Sequence, residues 1–178
     1  MPRLCAVPAA VLAILIAPSA ADAITWGSSL KRAPDTTLSA PVDTAYWATR
    51  VPRGQAAAPR AGQVVRVKLR GSTAEGDTRV LFQILRPVGG GRVQVIATSR
   101  AFDLPRDEGI HAFAPEEFRV RKGDRIGLAA IGGGHRVFAR ARGAASASFT
   151  GAGKDGNGDV LSPGGLRGTE LLLRVTQR

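Results

Sequence analysis

Apolar and polar residues alternate clearly from Gln63 onward. In VVRVKLR (64–70), Val65, Val67 and Leu69 alternate with Arg66, Lys68 and Arg70. That period of two predicts a strand with one buried and one wet face. RVLFQILR (79–86) is almost wholly apolar and predicts a central strand covered on both faces. PVGGG (87–91) is a turn, and RVQVIATS (92–99) returns as its partner strand. Shorter strands are expected over 110–115, 117–121, 125–131, 136–142 and 145–150, with ELLLRVT (170–176) closing the chain. Lys122-Gly123-Asp124 and the glycines at 132–134 are the punctuating turns.

Upstream the pattern is weaker. Residues 24–35 read as an irregular lead-in, and 36–50 supply one or two short strands. Residues 51–62, rich in Pro, Gly and Ala, read as a long loop. Convincing amphipathic helices are lacking after residue 23. About nine short strands between glycine turns predict an all-β fold, a two-sheet jelly-roll-like sandwich, with an eight-stranded closed barrel as the rival.

The first 23 residues stand apart. A short basic start, an apolar run over 7–18 and Ala21-Asp22-Ala23 are the three parts of a secretory signal peptide, with cleavage expected after Ala23. A retained signal anchor is the alternative. The apolar run is shorter than the roughly 20 residues a membrane span needs. Later segments supply no second such run. The single cysteine, Cys5, lies inside this segment, so the rest of the chain must be held by a hydrophobic core and not by disulfides. The organisation expected is a signal at 1–23, a lead-in at 24–62, and the main part of one β-sandwich domain at 63–178.

The net charge of +11 comes chiefly from arginine; lysine occurs at 31, 68, 122 and 154 alone. The charges are dispersed and form no block, as expected of a solvated basic surface. Such a surface can also attract acidic polymers.

The runs LFQILRPVGGGRVQVIATSRAFDLP (81–105), VRKGDRIGLAAIGG (120–133) and GTELLLRVTQ (168–177) together resemble a family of secreted β-rich modules of high-GC bacteria. Its pattern is F-Q-x-L-x-P, a glycine turn, x-V-x-A-T-S, then V-x-x-G-D. The resemblance covers the chain from about Gln63 to the C-terminus. It implies an extracellular, cell-surface or polymer-associated protein without catalytic residues.

Little in the chain points to catalysis. His111 and His135 match no metal spacing, and a zinc site without cysteine is not expected. There is no G-x-S-x-G elbow. Glycosidase carboxylates would have to come from Asp103, Asp107, Glu108, Glu116, Glu117 or Asp124, most of them in loops. Asp155, Asn157 and Asp159 alternate as calcium-loop ligands do. However, the sixth position is Val160 and the twelfth Leu166, where glycine and glutamate are required. A connecting loop is expected, with a weak calcium site as the alternative.

Two features suggest binding. Tyr46 and Trp47 are neighbours that face opposite ways in a strand, so one enters the core, Trp47 by preference, and the other is a candidate sugar platform. Arg66, Lys68 and Arg70 share one strand face, Arg119 and Arg121 another, and Arg136, Arg140 and Arg142 a third. If these strands are neighbours, a cationic face results. The expectation is a secreted non-catalytic binding or structural module for polysaccharide or another envelope polymer, with no cofactor and no nucleic-acid partner. The alternatives are an extracellular carbohydrate-active hydrolase and a protein-interaction domain. Oligomeric state stays open.

Overall fold

Alternation and glycine punctuation produce strands almost where they are expected. The computed structural model describes residues 22–38, 44–74, 78–132, 134–150 and 156–178. Most of the expected signal segment, Lys154 and Asp155 lie outside the described residues. Among the described residues all helix and strand is β: β1 (Ile24–Gly27), β2 (Thr36–Leu38), β3 (Thr44–Arg50), β4 (Gly62–Thr73), β5 (Arg79–Gly89), β6 (Arg92–Thr98), β7 (Phe102–Asp103), β8 (Gly109–Phe113), β9 (Arg119–Val120), β10 (Arg125–Ile131), β11 (His135–Thr150), β12 (Val160–Leu161), β13 (Gly164–Leu171) and β14 (Leu173–Gln177). No helix among them is long and apolar enough to cross a membrane.

The strands form one large antiparallel sheet. Its main path runs β1-β14-β4-β11-β3-β10-β5-β6-β12. β4 is the pivot. Its residues 64–69 pair with β14 and 67–71 with β8, whereas Ser72 and Thr73 pair with β11. Gly71 makes that passage possible, because a Cβ there would collide with the Arg136 carbonyl oxygen.

One apolar cluster joins both ends of this path. It contains Trp26, Val64, Val67, Leu69, Leu173 and Val175 from β1, β4 and β14. It also contains Tyr46, Phe82, Ile84, Ile126, Leu128 and Phe138 from β3, β5, β10 and β11. A second cluster, with Ala45, Trp47, Leu85 and Ala129, uses the intervening residues of β3, β5 and β10. Successive side chains point to opposite faces, so these three strands are buried on both sides. That is the physical reason VLFQIL (80–85) carries Gln83 as its one polar residue, and β5 does lie between β10 and β6.

Besides the short β7 and β12 and the early start of β13 at Gly164, three elements differ from expectation. The lead-in begins with a strand: β1 pairs with β14, and the buried Trp26 Nε1 donates to Gln177 Oε1 at 2.7 Å. Four residues ending in glycine are too few to display alternation. The segments 136–142 and 145–150 are one strand, β11, whose pairing with β13 shifts register between Arg140 and Ala145, with Gly143 at φ 80°. Conversely, the closing run breaks at Leu172, whose N–H bonds Val137 O at 2.9 Å, so it is shared between β13 and β14.

The Lys122–Asp124 turn is a docking point as well as a reversal. Gly123 has φ 91°, and its N–H and the Asp124 carbonyl bond the backbone of the buried Ala58, pinning the long loop over 51–61.

Candidate functional site

Trp47 enters the core as expected, and Tyr46 is the first correction. Both are buried, at 2% and 1% exposure, because β3 has a core on each face. Neither ring is open to a stacked sugar. Burial pushes the Tyr46 hydroxyl up to about 12 despite a hydrogen bond to Thr44. His135, which follows a glycine turn, is buried against Tyr46 and Phe138, with ring centroids 5.4 and 6.2 Å away.

The carboxylates do not assemble an acid–base pair. Asp103, Asp107, Glu108, Glu116 and Glu117 are exposed. Asp124 is buried and fully engaged: Arg86 Nε and Nη2 donate to its two oxygens at 2.9 Å each, and Arg121 N–H donates at 2.8 Å. The carboxylate raises the Arg86 guanidinium above its usual value. His111 Nε2 lies between two backbone carbonyls, Gly71 O at 3.0 Å and Asp107 O at 3.1 Å, so this nitrogen is placed to donate.

Residues 156–159 form a turn docked on β6. Asp159 Oδ2 accepts from Gly156 N–H at 3.0 Å, and Asp159 O accepts from Val95 N–H. Asn157 is exposed. Among the described residues no group of three or more His, Cys, Asp and Glu is placed to hold a metal ion.

The arginine rows are brought together only in part. On β4, Arg66 lies opposite Thr176 and Lys68 opposite Arg174 of β14. Directly opposed residues share a face, so Arg66, Lys68, Arg70 and Arg174 project from the side of this section away from Val67, Leu69, Leu173 and Val175. Arg119 of β9 pairs with Gln63 at the start of β4 and so extends the same edge. Arg121 sits in the turn after β9, beside Asp124. Arg136 is tied down, its Nη2 donating to Pro34 O at 3.0 Å. Arg140 and Arg142 are exposed on β11 near β13.

Lys68 facing Arg174 is a like-charge pair, which a sheet ordinarily avoids. Arg174 is drawn off by a strap, residues 28–32. Its Nε donates to Ser28 O at 2.9 Å and its Nη2 to Ser29 O. Arg70 Nη1 reaches the same strap at Leu30 O and Lys31 O, at 2.9 and 3.3 Å. Gly27 turns the chain off β1 into this strap: φ is 98°, and a Cβ would collide with Leu173 O. Leu30 then anchors it by packing with Ala139 and Leu172.

Behind the strap opens a cleft of about 540 Å³ lined by Ser29, Lys31, Arg32, Arg53, Arg142 and Glu170, with Pro52 at its side. Glu170 is only 4% exposed; it accepts from Ser28 Oγ at 2.7 Å and pairs loosely with Arg32 Nε at 3.8 Å. Sequence reasoning missed Lys31, Arg32, Arg53 and Glu170. The available signal was a lone glutamate in the apolar run TELLLRV, which demands partners once buried.

With this geometry established, comparison with protein-family models, curated proteins and solved structures finds no match.

Proposed function

We propose that the protein is a secreted, non-catalytic binding module that holds an anionic polymer of the cell envelope. The observation that carries this reading is the outward cationic row of Arg66 and Lys68 beside Arg174, with no acidic side chain at the paired positions of β14 or β8. A surface of one sign raises the local concentration of oppositely charged polymer and steers its approach. Burial of Tyr46 and Trp47 removes the expected stacking platform, so the reading narrows from polysaccharide in general to polymers bearing carboxylate or phosphate. The signal-like N-terminus supports a location outside the cell. The fold we propose is two-layered and jelly-roll-like: β1, β14, β4 and β8 in one layer, and β11, β3, β10, β5 and β6 in the other. The shared apolar cluster supports it, and β4 crosses between layers at Gly71.

The test is retention of the protein on insoluble acidic and neutral polysaccharides, with calcium and with chelator. Retention on the acidic matrix alone, unaffected by chelator, is expected. Equal retention on both matrices would refute the electrostatic reading, and chelator sensitivity would direct attention to the 155–159 loop.

A further inference from the structure

We propose that the cleft behind the strap is a subsite for one sugar-borne oxyanion, a carboxylate or a phosphate. It rests on the proposed polymer reading only for the source of that group; the charge of the cleft is independent of it. Four cations, Lys31, Arg32, Arg53 and Arg142, line the cleft with a single carboxylate, Glu170. Glu170 is directed to Ser28 and Arg32, so Lys31, Arg53 and Arg142 are left without a carboxylate partner among the cleft residues. The strap presents few competing acceptors, because the carbonyls of residues 28–31 already receive Arg70 and Arg174. A volume of about 540 Å³ lies within the range of small-ligand pockets.

The backbone is shaped to place these cations. Arg53 has φ 55° and Leu30 has φ 56°, a left-handed conformation that side-chain-bearing residues adopt at a cost. Such strain persists only where surrounding structure enforces it, and it gathers at ligand sites. Arg142 sits within the register shift of β11, between Arg140 and Ala145, the kind of irregularity that re-aims a side chain. Guanidinium groups hold planar oxyanions through paired donors, which suits carboxylate and phosphate alike.

Calorimetric titration of the protein with glucuronate, glucose 1-phosphate, inorganic phosphate and glucose tests this. At least one anionic sugar should bind, glucose should not, and inorganic phosphate should bind more weakly than the sugar. Arg53→Asn combined with Arg142→Gln should weaken binding by about tenfold or more, the loss expected for two charge-assisted contacts. Asparagine tolerates the left-handed backbone, so this variant keeps its fold. Glu170→Gln should tighten binding, because it removes the one repulsive charge and releases Arg32. Arg66→Gln with Lys68→Gln should leave monosaccharide binding unchanged. Failure of both anionic sugars to bind, or affinity indifferent to the cleft variants, overturns the subsite. Phosphate binding as tightly as the sugars overturns its assignment to a sugar-borne group. Intact polymer retention without monosaccharide binding would sink the cleft alone; the converse would sink the polymer reading alone.

Discussion

Two buried carboxylates, Asp124 and Glu170, face arginines in this molecule, and they are used differently. Asp124 receives a two-pronged guanidinium and a backbone N–H, all within 2.9 Å. Glu170 receives one hydroxyl at 2.7 Å and an arginine nitrogen no closer than 3.8 Å, at the wall of an open cleft. The first is a closed staple between β5 and the turn before β10. The second is an incomplete cluster with positive charge to spare. A carboxylate whose acceptors are filled stabilises a fold, whereas surplus cations around a half-satisfied one leave room for a ligand.

The largest expected effect lies at the staple. Asp124→Ala strands Arg86 and the Arg121 N–H, and should cost about 3 kcal/mol in urea denaturation. A loss no larger than that of Glu170→Gln would erase the contrast between the two sites. Next comes Tyr46, the only tyrosine in the chain. Its folded pKa, raised to about 12 from 10.0 by burial, favours the neutral hydroxyl in the folded state. The stability this contributes is whole below pH 10 and is lost as pH rises from 10 toward 12. Tyrosinate absorbance should therefore stay low at pH 10 in folded protein; half-ionisation there would mean an exposed ring.

Gly27→Ala should cost about 2 kcal/mol through the left-handed backbone and the collision with Leu173 O. It should also displace the strap, so anion binding falls along with stability. Glu170→Gln should change stability by about 1 kcal/mol or less. Smallest is Asp35, whose carboxyl is held below its ordinary value by hydrogen bonds from Thr36 Oγ1 and the Arg140 N–H. Its depressed pKa contributes stability above about pH 4 that disappears as pH falls further. Asp35→Asn should flatten that acid limb slightly in thermal scans.

The strand framework was legible because its signals are local. Alternation in 64–70 and the apolar run at 79–86 specify β4 and β5 without reference to the rest of the chain. The outward row of Arg66 and Lys68 follows from the same alternation. By contrast, β1 is legible only through its partner β14, and the break at Leu172 only through Val137. The cleft was hidden for a similar reason. Lys31 and Arg53 sit in segments without periodicity, and Arg142 and Glu170 come from strands far along the chain. Tyr46 misled because neighbours in a strand face opposite ways, which guarantees one exposed ring only when the sheet has a wet face. β3 has none.

The cationic row is tested most directly by the salt dependence of retention on an acidic polysaccharide for the wild type and the Arg66→Gln, Lys68→Gln variant. Wild-type retention should fall steeply as salt rises, with a weaker, flatter dependence in the variant, because fewer cations meet the polymer. Identical curves for the two proteins, or retention indifferent to salt, would contradict binding through this row.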